Sequence, residues 1–167
     1  MVGSPDHSIG ELPGLGYLHP PLYPKDTMTI EPIHIEGDDP KWNMPYTPAI
    51  KVTGGSTVYV SGVTAAPVYH SHPHDPSEFI DIPDDAGAQA ELAMENLNTV
   101  LKAAGAGLTD IVQLIRFMVD QDRNQDAINR VMARYMGGHR ASSTSVEVVR
   151  LATDPRLVLE LQAIAVV

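Results

Sequence analysis

The stretch from residue 84 to residue 120 predicts a helix followed directly by a strand: DDAGAQAELAMENLNTVLKAAGAGLTDIVQLIRFMVD. Apolar residues recur in it at the i, i+3, i+4, i+7 spacing of one helix face: Leu97, Val100, Leu101 and Ala104. Asp84 or Asp85 can cap this helix, Asp84–Ala104, and Gly105 ends it. Asp110–Asp120 is apolar on both faces, which is typical of a buried strand.

The flanking segments extend this pattern in both directions. A second helix is predicted at Arg123–Met136, and two strands follow at Ser142–Leu151 and Arg156–Val167. Upstream, a GGS turn signal between Ala49–Thr53 and Thr57–Thr64 predicts a hairpin. The order β-β-α-β-α-β-β predicts an α+β fold, with two helices on one face of a mainly antiparallel sheet.

The first 45 residues have a different composition. Eight of the 14 prolines lie there, and proline resists both helix and central strand. We therefore predict an irregular arm at residues 1–45, with one edge strand at Met28–Glu36 interrupted by Pro32. The regular domain is predicted at residues 46–167.

Neither face of the last strand is plainly solvent-like, which bears on oligomeric state. The alternating positions are Leu157, Leu159 and Leu161 on one face, and Val158, Glu160, Gln162 and Ile164 on the other. Two helices can cover only one face of a sheet, and a bare apolar face is an aggregation hazard. The sequence therefore predicts a closed homo-oligomer.

Charge and composition exclude several classes of function. Lys and Arg total 11 against 21 Asp and Glu, a net charge of −10, which disfavours nucleic acid and anionic membranes as partners. The absence of cysteine excludes a thiolate nucleophile and any Cys-ligated metal site. The sequence shows neither a membrane span nor a signal-peptide pattern, so a cytoplasmic location is expected.

A histidine-rich loop is the one candidate metal site. His70, His72 and His74 precede Asp75 in HSHPHD, and imidazoles suit zinc, nickel or copper. However, residues 65–83 contain four prolines and no predicted element that would fix ligand geometry. The sequence thus favours a flexible loop with adventitious metal affinity, and no native metal site is predicted.

Three stretches together resemble the RidA/YjgF family, some members of which are labelled endoribonuclease L-PSP or translation inhibitor. They are Val58–Gly62 (VYVSG), Gln89–Val119 and Thr144–Val166 (TSVEVVRLATDPRLVLELQAIAV). The resemblance implies a chorismate-mutase-like protomer and a homotrimer with clefts between subunits. It also implies hydrolytic deamination of small enamines or imines, with no metal and no organic cofactor.

The resemblance also implies roles for individual residues. Glu160 matches the glutamate that positions the hydrolytic water, while Tyr46, Ser61, Gly62 and Asn129 match residues of the substrate cleft. The pattern alone is more typical of a solvated strand residue, or of one paired with Arg150 or Arg156, because most strand carboxylates lie at the surface.

Ser143 is the main departure from the family pattern, because it stands where the family has an arginine that binds the substrate carboxylate. A hydroxyl offers one neutral donor in place of a charged fork, so carboxylate binding should weaken unless another cation compensates. Arg140, three positions earlier, is the candidate for that role, and it is equally compatible with an ordinary surface site. His139 is a further candidate acid or base.

These observations leave two classes of function open. The first is a hydrolase acting on a small imine, enamine or related metabolite, with a substrate altered by the change at Ser143. The alternative is a non-catalytic trimer that binds a small ligand as a sensor or buffer. Ribonuclease activity is disfavoured by the net charge of −10.

Overall fold

Two helices lie on one face of a four-stranded sheet, with a separate two-stranded sheet beside it. The computed structural model describes residues 28–37 and 43–167, so most of the predicted N-terminal arm lies outside the described residues. The elements in chain order are β1 (Thr29–Ile33), β2 (Ala49–Thr53), β3 (Thr57–Val63), α1 (Ala86–Ala103), β4 (Ile111–Met118), α2 (Gln121–Met136), β5 (Ser142–Glu147) and β6 (Leu159–Val166).

The main sheet has the strand order β3-β6-β4-β5. The β3–β6 and β6–β4 pairs are antiparallel, and the β4–β5 pair, joined through α2, is parallel. The predicted α+β class and the mainly antiparallel sheet are confirmed. Within the described residues, no helix is both long enough and apolar enough to cross a bilayer.

The predicted hairpin between β2 and β3 is wrong. β2 pairs with β1, the predicted edge strand, whereas β3 pairs with β6 in the other sheet. The glycines between β2 and β3 explain the difference, because Gly54 and Gly55 both have positive φ, at 72° and 77°. A Cβ on Gly55 would lie 2.7 Å from Cγ1 of Val166 and 2.9 Å from Sδ of Met28. This turn is therefore packed between the two sheets and passes the chain from one to the other.

Helix α1 forms where its sequence predicts. The Asp85 carboxylate accepts a hydrogen bond from the Ala88 N–H at 2.8 Å, and Gly105 follows the helix with φ of 76°. Its buried face packs on β3, β6 and α2, and includes Ala90, Ala93, Met94, Leu97 and Leu101. Because α2 also packs against β4, the main core lies between the helices and one face of the sheet.

The opposite face of the sheet is less covered. Tyr59 on β3 is 77% exposed, and it pairs with half-buried Ile164 on β6. Glu160 lies on this same face, because it pairs with Phe117 while the buried Leu159 and Leu161 point toward the helices. One face of the sheet is thus buried under the helices, and the other carries Glu160 together with exposed Tyr59.

Candidate active site

A cavity of about 400 Å³ lies beside α2, β4 and β5. We call it the Arg116 cavity. Its polar lining includes Arg116, Asn129 and Ser143, with Tyr46 and Arg140 also contributing. Four residues predicted to bind substrate, Tyr46, Asn129, Arg140 and Ser143, are therefore brought together here.

Arg116 is the central cation of this cavity. Its Nη1 donates to Oδ1 of Asn129 at 2.6 Å, and its Nη2 donates to Oγ of Ser145 at 2.5 Å. Its Nε is buried and has no hydrogen-bond partner among the described residues. Burial lowers the pKa of the Arg116 guanidinium from its ordinary value, but an arginine still carries its charge in a protein. None of these hydrogen bonds goes to a carboxylate, so the positive charge of the Arg116 guanidinium can still bind an anion.

The register of the sheet explains where Arg116 points. Along β4 it alternates onto the same face as Leu114 and Met118, which are buried toward the helices. In the parallel pairing with β5, Ser143 lies beside Leu114 and Ser145 beside Arg116. Arg116 therefore occupies the same sheet face as Ser143, one strand over. This arrangement offers a guanidinium close to the position where the sequence lacks one.

Arg116 is a candidate binding residue that the sequence reasoning missed. The sequence pattern predicts a strand that is apolar on both faces, and it offers Arg140 as the compensating cation. A signal was present, since Arg116 is the one charged residue within the predominantly apolar stretch IVQLIRFMV, residues 111–119. A charge in such a strand needs a counter-charge or a cavity, because burying it unpaired is costly.

Buried Thr47 fixes one rim of the cavity. Its Oγ1 donates to the Arg140 carbonyl at 2.6 Å, and its N–H donates to the Ala141 carbonyl at 3.1 Å. These bonds hold the neighbouring Tyr46 beside the segment that leads into β5. His139 is similarly anchored, since its Nε2 lies 2.6 Å from the Ile111 carbonyl. Leu114, Met132 and Met136 form apolar walls.

A second, smaller cavity of about 120 Å³ contains Glu160, and we call it the Glu160 cavity. Gly62 lines it as well, and a Cβ built on Gly62 would overlap the Glu160 carboxylate. The half-buried carboxylate therefore depends on the absence of a side chain at position 62. Arg156 forms its ion pair with Asp154, at 3.0 Å between Nε and Oδ1, and is thus engaged elsewhere.

The predicted site residues fall into two groups. Glu160 and Gly62 line the smaller cavity, while exposed Ser61 lies beside Gly62 and outside both cavity linings. Arg116 pairs with Leu161, the residue after Glu160, so the guanidinium and the Glu160 carboxylate lie on opposite faces of the sheet. Within a single chain, the Arg116 guanidinium and the Glu160 carboxylate therefore do not face the same small ligand.

Comparison with known proteins agrees with this architecture. The family model for endoribonuclease L-PSP matches residues 37–167. A RutC family protein of Pyrococcus abyssi is 33% identical over 127 residues, which are 75% of this chain and 89% of the relative. The 2-iminobutanoate/2-iminopropanoate deaminase of Mus musculus is 28% identical over 122 residues, covering 73% of this chain and 81% of the relative.

A solved structure extends the similarity to three dimensions. The crystal structure of E. coli TdcF with bound serine is 30% identical and superposes with a TM-score of 0.56, covering 74% of this chain and 89% of that one. Family members thus include deaminases of reactive intermediates. With the matched region spanning β2 to β6 and the same α+β arrangement, this chain belongs to the endoribonuclease L-PSP family, the RidA/YjgF family that its sequence resembles.

Proposed function

We propose that the protein hydrolyses a small α-imino acid to the corresponding α-keto acid and ammonia. The observation that carries the proposal is the Arg116 guanidinium, which faces a cavity and has no carboxylate partner among its hydrogen bonds. A guanidinium binds a carboxylate through charge-assisted hydrogen bonds, and these are among the strongest polar contacts in proteins. The substrate carboxylate would supply the missing counter-charge.

The other cavity walls indicate the rest of the substrate. Leu114, Met132 and Met136 offer apolar surface next to the anchor, which suits a short aliphatic side chain. Two relatives support this class: one is named a 2-iminobutanoate/2-iminopropanoate deaminase, and another was crystallised with serine, which carries a carboxylate. Arg116 takes the place of the arginine lost at Ser143, in preference to the exposed Arg140.

Hydrolysis requires a base to activate water, and Glu160 is our candidate. Its carboxylate takes a proton from water as the oxygen adds to the imine carbon, forming a tetrahedral carbinolamine. That proton passes to the imine nitrogen, which completes the neutral carbinolamine. A second transfer moves the hydroxyl proton to the amino nitrogen, with Glu160 as the relay, so that the carbon–nitrogen bond breaks and ammonia leaves as the carbonyl forms. Atoms balance as imino acid plus water giving keto acid plus ammonia, without a redox step.

Such a reaction needs the Arg116 guanidinium and the Glu160 carboxylate to reach the same substrate molecule. We therefore propose that the active site is completed between subunits of a homotrimer. Arg116 and Glu160 lie on opposite sheet faces within one chain. The face that carries Glu160 also exposes Tyr59, and a neighbouring chain that covered it would remove this apolar surface from water. Glu160 of one chain would then approach the Arg116 cavity of the next.

The test is a semicarbazide competition assay. An amino-acid oxidase generates 2-iminobutanoate, semicarbazide traps the free imine, and an active deaminase lowers the yield of semicarbazone. We expect catalytic amounts of the protein to suppress trapping. If the yield is unchanged while 2-oxobutanoate still binds in calorimetry, the non-catalytic ligand-binding alternative is favoured. If the yield is unchanged and nothing binds, the α-imino acid class is wrong.

A further inference from the structure

We propose that His70, His72 and His74 form a binding site for a divalent transition metal ion, of the class of Zn²⁺, Ni²⁺ or Cu²⁺. Each residue offers one imidazole nitrogen, and these three nitrogens lie within 4.8 Å of one another. The ring centroids are 4.8 to 5.0 Å apart. Three imidazoles that converge in this way match the histidine-rich ligand sets of such metals.

The loop that carries these histidines is held in place by its own hydrogen bonds. The N–H and Oγ of Ser71 both donate to the Glu78 carboxylate, each at 2.7 Å. Asp75 caps a short 3-10 helix at Pro76–Phe79 by accepting from the Ser77 N–H at 2.9 Å. The sequence-based expectation that nothing fixes this loop is therefore wrong. The loop backbone is held in place before any ion binds, and the exposed imidazole rings can still adjust.

A buried aromatic ring supports two of the three imidazoles from below. Phe79 is 2% exposed, and its ring centroid lies 5.3 Å from that of His70 and 5.6 Å from that of His74. Edge contacts of this kind orient the rings relative to each other. The triad thus rests on the small hydrophobic cluster that Phe79 shares with Ile82 and Leu157.

The hydrogen bond of His70 leaves its other nitrogen available for coordination. Its Nδ1 lies 3.0 Å from the Pro67 carbonyl oxygen, which can only accept, so Nδ1 carries the proton. Metal-ligating histidines commonly donate one ring N–H to a carbonyl in this way, which fixes the tautomer and ring orientation. In the neutral His70 ring, Nε2 is then the nitrogen that can coordinate a metal ion.

The type of metal follows from the ligand chemistry. Neutral imidazoles suit Zn²⁺, Ni²⁺ and Cu²⁺, whereas Mg²⁺ and Ca²⁺ need oxygen ligands. Two carboxylates of the same loop, Asp75 and Glu78, accept hydrogen bonds from Ser77 and Ser71. In a tetrahedral site with metal–nitrogen bonds of about 2.0–2.1 Å, the ligand nitrogens lie about 3.3 Å apart. The present separations reach 4.8 Å, so the most distant nitrogens must approach by about 1.5 Å. His72 and His74 are exposed and can make this adjustment.

The site would lie at the rim of the Glu160 cavity, since His70 lines that cavity. Three protein ligands leave a fourth tetrahedral position for water or a small ligand. The proposal stands independently of the hydrolysis proposed above, because it rests on the loop geometry alone and its test measures metal binding.

The experiment uses the untagged full-length chain, stripped of metal and titrated with Zn²⁺ in competition with a chromophoric chelator. We expect about one ion per chain. The triple variant His70→Asn, His72→Asn, His74→Asn should bind at least about 100-fold more weakly, since loss of supporting outer-shell partners alone costs 10–100-fold. A matched control variant replaces three histidines outside the loop: His7→Asn, His19→Asn and His34→Asn. It should bind within about threefold of the wild type.

Two further readouts keep the result interpretable. Thermal unfolding of the metal-free triple variant checks that the fold is intact, and the single variant His74→Asn removes one exposed ligand with little structural risk. X-ray absorption of the zinc-loaded chain should show histidine nitrogens around the ion. Equal losses in the loop variant and the control, or wild-type affinity in the loop variant, would mean adventitious surface affinity only and would overturn the proposal.

Discussion

Replacing Arg116 with methionine tests the proposed carboxylate anchor. Methionine keeps an unbranched apolar side chain next to Met132 and removes the guanidinium, so the cavity loses its charge while its wall is largely retained. We expect the variant to fold and to lose its affinity for carboxylate ligands.

The structure sets the magnitudes of both effects. Folding loses the hydrogen bonds to Asn129 and Ser145, about 1.5–3 kcal/mol each for a charged donor. The variant also removes a buried charge whose Nε has no hydrogen-bond partner. Burying such a group costs about 1–3 kcal/mol or more, so its removal offsets part of the loss. Taken at the middle of these ranges, about 4.5 and about 2 kcal/mol, the two effects lower the free energy of unfolding by about 2–3 kcal/mol. Ligand binding has no such offset. Losing the Arg116 partner of a ligand carboxylate costs about 2–5 kcal/mol of binding free energy, which weakens the affinity by at least about 30-fold.

The assay is calorimetric titration with 2-oxobutanoate, the expected product for 2-iminobutanoate, against its neutral amide. Wild type should prefer the carboxylate, and Arg116→Met should abolish that preference. Arg116→Lys, which keeps the charge and loses the planar fork, should fall between them. Arg140→Met serves as the matched control, because Arg140 lines the same cavity with an exposed side chain.

The opposite pattern would refute this reasoning. If Arg140→Met loses the carboxylate preference while Arg116→Met keeps it, the compensating cation is Arg140 and the assignment of Arg116 is wrong. If Arg116→Met unfolds in buffer, its hydrogen bonds are structural, and Arg116→Lys then decides between the two roles.

Four other outcomes are expected. Glu160→Gln should lower turnover by about 10²–10⁴-fold while 2-oxobutanoate still binds, because glutamine cannot accept the proton. Gly62→Ala should also lower turnover with little change in melting temperature, since the added Cβ displaces the movable Glu160 carboxylate instead of a backbone segment. Light scattering should give about three times the 18.0 kDa chain mass, and a stable monomer at micromolar concentration would contradict the covered-face argument. Hydrogen bonds from Arg156 hold the pKa of the Asp154 carboxyl below its usual value. The ionised Asp154 carboxylate therefore stabilises the fold above about pH 4, and this stabilisation is lost as the pH falls through the lowered pKa of the folded state. In the Asp154→Asn variant, the free energy of unfolding, measured with urea at several pH values, should fall less steeply on acidification.

The helices and the sheet class were predictable because their signals are local. The N-cap, the apolar stripe and the glycine that ends the helix all lie within α1 or beside it. They predict its first residue to within two positions and its last residue to within one. The pairing of β2 was not predictable from its turn, because the Gly54–Gly55 turn also fits a passage between two sheets. That choice depends on Met28 and Val166, which are distant in sequence and meet at Gly55.

The candidate site was predictable only in part, for the same physical reason. Family resemblance located Asn129 and Ser143, but the cation beside them comes from β4, through a register that no local pattern encodes. The histidine loop is similar, since its stiffness depends on the hydrogen bonds between Ser71 and Glu78, seven residues apart. Side chains that act together across a fold leave little trace in sequence spacing.

Subunit complementation tests most directly whether Arg116 and Glu160 act on one substrate from different chains. Arg116→Met and Glu160→Gln, each inactive alone, are co-refolded at equal concentration and assayed by imine trapping. If each site needs Arg116 from one chain and Glu160 from its neighbour, random assembly restores about one site in four, and about a quarter of wild-type activity should return. If the mixture stays as inactive as its parents although mixed oligomers form, the two residues do not form one site across an interface.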